Sequence, residues 1–245
     1  NLEHSSVRIR GTAIHLIETG RLPAAEASVL DGLRLLPGFI DTHNHGAVGV
    51  DVNTATIDGF VEVGRFLASV GVTSWVPTLV PDEDANYHRV AGEITEVLKI
   101  QDELPVARIV GIHYEGIFAN EKMCGALRPE FFRAYSGSEL DALPEIPGIA
   151  HLVTYAPEIA GGIELTKALI ARGWIPSIGH TNAGADVLSA AFDAGARRFT
   201  HLFNAMTGVH HRDLGVAGFA LSCDDAECEI IADGIHVRPE ILRLA

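Results

Sequence analysis

The chain has 245 residues and a formal charge of −14, from 18 basic and 32 acidic side chains, and 47% of its residues are hydrophobic. That composition supplies a large core and excludes a disordered chain; the negative balance, with no run of Lys or Arg, disfavours nucleic acid as a partner. Three cysteines, Cys124, Cys223 and Cys228, without a C-x-x-C pair exclude a disulfide framework and a cysteine-rich zinc module.

Glu3, Arg8, Arg10 and Glu18 interrupt the apolar stretches at the start of the chain, which does not fit a secretory signal. No apolar run approaches the ~18 residues of a membrane span, so a soluble, cytoplasmic protein is expected. The N-terminal segment reads as short strands with turns at Gly11, Gly20, Pro23 and Gly32. A regular pattern follows. Residues 33–40, 72–80, 107–112, 149–155, 174–178, 196–200 and 227–232 are short apolar or β-branched runs, as in parallel strands covered on both faces. Between them, 57–69, 84–101, 162–172 and 184–193 have helical spacing, and another helix starts near Pro239. Thr56 is a fitting N-cap for the first helix, and Gly71 follows its end.

Alternation of this kind argues for an α/β fold with a parallel sheet, either a barrel or an open doubly wound sheet. The polar residues discriminate. Asp41, His43 and His45 follow the first strand, His113 and Glu115 the third, His180 the fifth, His201 the sixth, and Asp233 and His236 the seventh. In a closed barrel those strand ends meet at one mouth, whereas an open sheet spreads them along an edge. A (β/α)8 TIM-like barrel is therefore expected, truncated before its eighth strand, since seven strands are counted and the chain stops inside a β-α unit.

The motif PGFIDTHNHG, from Pro37 to Gly46, ends an apolar strand in His43-x-His45. Side chains two apart on an extended segment point the same way, so both imidazoles can reach one ion; the alternative is a solvated loop pair. In IHYEG, Glu115 ends an otherwise apolar strand, and a buried carboxylate needs a cation, whether a metal or a structural Arg. SIGHTNAG and FTHLFNAM place His180 and His201 at two further strand ends, where each alone can also be a satisfied core histidine. One carboxylate and several imidazoles, without thiolates, form a site suited to Zn2+, with Fe2+, Co2+ or Mn2+ as alternatives. Such an ion lowers the pKa of bound water to about 7 and polarises a carbonyl oxygen.

The ordered series HNHG, HYEG, GHTNA, THLFNAM, Arg212 and IIADGIHV resembles the N-acetylglucosamine-6-phosphate deacetylase family of the amidohydrolase superfamily. The resemblance implies a metal-dependent barrel over 37–245, with 1–36 the N-terminal part of a small β domain. It implies that Glu115, His180 and His201 hold the principal metal and that His43 and His45 support a second ion where one is present. Asn204 and Ala205 would contact the sugar phosphate, and Arg212 would bind it from the partner subunit of a homodimer. Asp233 and His236 would contact the substrate, His236 polarising the amide carbonyl. From the residues alone, Arg212 can equally be a solvated arginine, and Asn204 a helix cap.

Three positions depart from the family's pattern. Ile117 stands where proline is usual. Leu127 follows Gly125-Ala126 where histidine is usual, so Ala126 and Leu127 would line the substrate with one polar contact fewer. The family's general-base aspartate, at the end of strand eight, is expected beyond Ala245. The reaction implied is hydrolysis of N-acetylglucosamine 6-phosphate to glucosamine 6-phosphate and acetate. The alternatives are a related amidohydrolase acting on another N-acyl sugar phosphate or a cyclic amide, and a catalytically dead barrel that binds metal or sugar phosphate.

Overall fold

The computed structural model describes residues 5–10, 13–20 and 36–245. Gly11, Pro23, Gly32 and residues 33–35 of the expected first barrel strand lie outside the described residues. The chain divides into two compact units, Asn1–Pro37 and Gly38–Ala245. In the first, β1 (Ser5–Arg10) pairs antiparallel with β2 (Ala13–Thr19), with a register shift between Arg8 and Ile9.

The second unit holds an all-parallel sheet. Its strands are β3 (Phe39–Asn44), β4 (Val72–Leu79), β5 (Arg108–Ile109), β6 (Gly111–Phe118), β7 (Ala150–Tyr155), β8 (Ile175–Ile178), β9 (Arg198–Phe199) and β10 (Glu227–Cys228). The order across the sheet is β10-β9-β8-β7-β6-β4-β3, with β5 a short additional partner of β4. Consecutive strands are therefore neighbours throughout, with no reversal of order. An open doubly wound sheet has such a reversal; a barrel winds in one direction. The sheet also curls until its two ends meet. Thr42 on β3 donates to Glu229, just past β10, at 3.1 Å, and receives a hydrogen bond from Arg198 on β9 at 2.7 Å.

Helices cover the strands. α1 (Ile57–Ser69) and α2 (Asp84–Ile100) follow β3 and β4, α3 (Gly162–Ala171) follows β7, and α4 (Ala185–Asp193) follows β8. In α1, Phe60, Val63, Gly64 and Leu67 are buried, the i, i+3, i+4, i+7 stripe that the spacing requires. Thr56 caps it by accepting from the Gly59 N–H at 3.5 Å, and Gly71 leaves it in the left-handed region, at φ +89°. These four helices coincide with the expected ones to within a residue or so. α5 (Gly215–Ser222) and α6 (Pro239–Leu242) complete the set. α5 has no counterpart in the spacing because Val216, Ala217, Gly218, Phe219 and Ala220 are all buried, so it carries no polar face to alternate with. Among the described residues, no helix is long and apolar enough to cross a membrane.

Three strand boundaries are corrected. The first barrel strand runs to Asn44, so Asp41 and His43 belong to it instead of following it. The third continues to Phe118 with every residue buried; His113 and Glu115 are interior positions of a covered strand, where polar side chains were taken to mark its end. The seventh pairs only over Glu227–Cys228, and 229–232 continue without a partner strand.

Candidate metal centre

Glu115 lies on β6 with its side chain only 3% exposed, and four imidazoles surround it. The Nε2 atoms of His43, His180 and His201 each lie 3.2 Å from Oε1, and that of His45 lies 3.1 Å from Oε2. These ligand atoms form two groups that share the carboxylate: Glu115 with His180 and His201, and Glu115 with His43 and His45. The structure thus brings together all five expected metal ligands. Among the described residues no arginine pairs with Glu115, and His180 and His201 are not self-satisfied core residues, since both aim Nε2 at the carboxylate.

What stands behind the rings decides which nitrogen faces the centre. Nδ1 of His180 donates to the Met123 carbonyl at 2.8 Å, Nδ1 of His45 to the Thr78 carbonyl at 3.2 Å, and Nδ1 of His43 to Glu229 at 3.2 Å. A neutral ring donating from Nδ1 keeps a lone pair on Nε2. Yet Nε2 of His180 and His201 are 3.0 Å apart, and those of His43 and His45 are 3.1 Å apart. Lone pairs at that separation repel unless a proton or a cation lies between them. A tetrahedral ion with bonds of ~2.0–2.1 Å to nitrogen would space its ligands about 3.3 Å apart, so the donor set fits a divalent ion of the borderline kind. Among the described residues the buried Nδ1 of His201 has no hydrogen-bond partner, which leaves Nε2 as its one engaged nitrogen.

The electrostatics agree. Burial alone would raise the Glu115 carboxyl, but charge on His43 and hydrogen bonds from His180, His201 and His43 hold it well below the usual carboxylate range. Burial opposes charge on His43 as well, yet Glu115 and then Glu229 drive it up to about 10. The chain alone thus supplies a proton where a metal cation would otherwise balance the charge. Two of the converging histidines also sit in strained backbone: His180 has φ 48° and His201 φ 34°, a region costly to residues with a Cβ. Gly179 before His180 admits the approach of its neighbours, since a Cβ there would come within 2.8 Å of Thr200 and 2.9 Å of Thr154.

His113, two residues before Glu115, lies outside the two groups that share Glu115, its ring clustering with His43 and Glu229. Its Nε2 meets Thr154 Oγ1 at 2.7 Å and its Nδ1 the Thr42 carbonyl at 3.3 Å. Burial first, then the charge of His43, lowers it to about 3, so it is a neutral ring packed 4.8 Å from that of His43. Thr154, Thr200 and Ser177 continue this buried layer by hydroxyl contacts of 2.7 Å.

Two carboxylates escaped the sequence reading. Glu229 supports His43, and hydrogen bonding from His43 with the charges of His43 and Arg198 overcomes its burial and brings it to about 2. Its signal was the one that exposed Glu115, an acid inside an apolar run, here next to Ile230 and Ile231. Glu158, after β7, accepts from Asn120 Nδ2 at 2.8 Å, the Asn182 N–H at 2.9 Å and Thr181 Oγ1 at 2.5 Å. It therefore braces the turn that carries His180, whose carbonyl also accepts from the Asn120 N–H at 3.0 Å.

The expected substrate contacts are placed as follows. Leu127 is buried and its Cδ1 lies 2.1 Å from where a Cβ on Gly116 would stand, while Ala126 is exposed. The adjoining Gly125 lies beside His180, a Cβ there meeting Cε1 at 3.4 Å. Asn204 is not a helix cap: its amide nitrogen reaches the His201 carbonyl at 3.4 Å, closing the His201 turn. The Ala205 carbonyl accepts from the Thr181 N–H at 3.1 Å, joining the two histidine turns. Arg212 is exposed, and its guanidinium has no hydrogen bond or ion pair among the described residues. Asp233 and His236 are exposed and pair with each other at 2.7 Å; neither is hydrogen-bonded to a residue of the metal groups.

No family model matches the chain. Among curated proteins, it is 36% identical over 223 residues to the N-acetylglucosamine-6-phosphate deacetylase of Vibrio furnissii, covering 90% of this chain and 55% of the relative. It is 34% identical over 244 residues to the N-acetylgalactosamine-6-phosphate deacetylase of Escherichia coli O157:H7, covering 99% and 63%. Among solved structures, the N-acetylglucosamine-6-phosphate deacetylase of Thermotoga maritima superposes with a TM-score of 0.83 at 30% identity, over 97% of this chain and 61% of the other. A mutant of the Mycobacterium smegmatis enzyme in complex with N-acetyl-D-glucosamine-6-phosphate gives 0.83 at 32%, over 94% and 59%. In sequence and in fold the chain is similar to the N-acetylglucosamine-6-phosphate deacetylases, and it spans somewhat more than half the length of the relatives it matches.

Proposed function

We propose that the full-length protein is a metal-dependent N-acetylglucosamine-6-phosphate deacetylase, built on a closed (β/α)8 barrel, that yields glucosamine 6-phosphate and acetate. The observation that carries this reading is the convergence of four imidazole Nε2 atoms on one buried carboxylate, Glu115, within 3.2 Å. Glu115, His180 and His201 would hold the principal ion, with His43 and His45 at a second position, and Zn2+ suits the donors best. The ion supplies an acidified water and polarises a carbonyl oxygen.

The protein's own residues do the remaining work. Met123, Thr78 and Glu229 hold three rings with Nε2 toward the centre. Arg212, exposed and without a side-chain partner among the described residues, offers a planar fork to phosphate oxygens and would reach the site of the partner subunit in a homodimer. Asn204 and Ala205, on the turn that follows His201, would contact the sugar phosphate. Asp233 holds the His236 ring, which would donate to the amide carbonyl. Leu127, turned onto Gly116, would offer the substrate an apolar side chain where a polar contact is usual.

A second reading, deacetylation of an epimeric N-acetylhexosamine phosphate, is favoured by the match to an N-acetylgalactosamine-6-phosphate deacetylase over 99% of the chain. Metal content and deacetylation rates on both 6-phosphates, and on the unphosphorylated sugars, are to be measured for the full-length protein and Glu115→Gln. Metal in the wild type, with metal and rate both falling in the variant, supports the proposal, and the ratio of the two rates chooses between the readings. A wild-type protein that takes up no divalent metal when supplied with it would end both.

A further inference from the structure

We infer that Glu229 is the positioning residue for His43, so that the Glu229 side chain governs metal occupancy at the His43/His45 position while leaving the Glu115–His180–His201 position untouched. This rests on the metal-centre reading above and adds to it a residue outside the ligand set. The two oxygens of Glu229 have separate partners. Oε1 takes Arg198 Nη2 at 2.9 Å, Arg198 Nε at 3.1 Å and Thr42 Oγ1 at 3.1 Å. Oε2 has one partner, Nδ1 of His43, at 3.2 Å.

Arg198 and Thr42 thus fix the carboxylate, and its remaining oxygen accepts the Nδ1–H of His43. That bond selects the ring tautomer with its lone pair on Nε2 and sets the plane in which Nε2 meets Glu115 at 3.2 Å and His45 Nε2 at 3.1 Å. A carboxylate behind a ligating imidazole also raises the basicity of the ring. A structural ion pair with Arg198 would require only Oε1. The two metal positions are separable because Glu229 meets the His201 half away from its ligand atoms: the side chain takes Arg198 on β9, and the carbonyl accepts from the Leu202 N–H at 2.7 Å. Side-chain substitution leaves that contact in place.

The test is a Co2+ titration of full-length wild type, Glu229→Gln, Glu229→Ala and His43→Ala, followed by calorimetry and by visible absorption, with thermal unfolding to establish that each variant is folded. In the wild type two binding events are expected, of which His43→Ala removes one. Glu229→Ala should weaken that event by about 10- to 100-fold and leave the other within about twofold. Glu229→Gln, which keeps an acceptor oxygen without the charge, should fall between. Equal weakening of both events would mean that Glu229 only supports the fold, and no weakening would mean that His43 needs no such support; either result overturns the inference. So does a wild type that binds a single ion unaffected by His43→Ala. A wild type that binds no ion defeats the metal-centre reading itself and this inference with it.

Discussion

At Glu115 a carboxylate is buried against four imidazoles, and the residue after it, Gly116, turns the chain at φ +74°. The space its missing side chain leaves is filled by Leu127, which is 8% exposed. Two costs meet at that glycine: a left-handed conformation worth about 1–2 kcal/mol to any residue with a Cβ, and displacement of Leu127. Gly116→Ala should therefore lower stability by roughly 2–3 kcal/mol. In the Leu127→Ala background the displacement vanishes and only the backbone cost remains. Urea unfolding of the two single variants and the double should show a coupling of about 0.5 kcal/mol or more; additive effects would mean that Leu127 does not occupy that space. At this scale the sequence was legible where one residue type in one context has few uses. Glu115 and the histidines of HNHG, GHTNA and THLFNAM were readable as candidate ligands for that reason, and the fold brings them together. Glu229 has the same acid-in-apolar-run signature, but its meaning depends on Arg198 and His43, which only the fold brings to it.

At the scale of elements, the loops after β6, β7 and β8 are joined through Glu158. Asn120, Thr181 and Asn182 all donate to its carboxylate, and the turn they form holds His180 in a conformation it would not adopt by itself. Glu158→Ala should weaken binding at the Glu115–His180–His201 position by about tenfold, in the range for supporting residues, and lower stability by about 1–3 kcal/mol. Glu158→Gln keeps an acceptor and should recover part of both. Competition for Co2+ with a chelator, alongside urea unfolding, checks this; a loss of stability with unchanged metal affinity would show that the brace does not reach His180. The helices α1 to α4 were legible because each buries one stripe of an alternating face. The short strands were legible in position but not in extent. A run of apolar residues does not say where ladder pairing stops, and in β3 and β6 the pairing runs on through the polar residues of the site.

For the molecule as a whole, pH dependence follows from histidines buried without charge. His151 accepts from the Ile146 N–H at 2.8 Å and stacks on Trp174, and burial lowers its pKa. The unfolded chain takes up the proton first, near pH 6.5. The stability contributed by neutral His151 is therefore present above about pH 6.5 and lost as pH falls toward its lower folded value. Without metal, His43, driven up to about 10, acts in the opposite sense, its contribution present below about pH 6.5 and lost as pH rises through its folded value. A comparison that cancels His43 is needed. The stability difference between wild type and His151→Gln, from urea midpoints at pH 7.5 and 5.5, should shrink at the lower pH; a constant difference would show that His151 is not held neutral. By itself the sequence determined the α/β alternation, the direction of the strands and the residue types at their ends, because these follow from periodicity and local chain chemistry. Only the tertiary structure decided which histidines converge on Glu115, which one packs behind them and which carboxylates support them. A ring's role is set by the atom behind its other nitrogen, and for His43 that atom belongs to a residue 186 positions away.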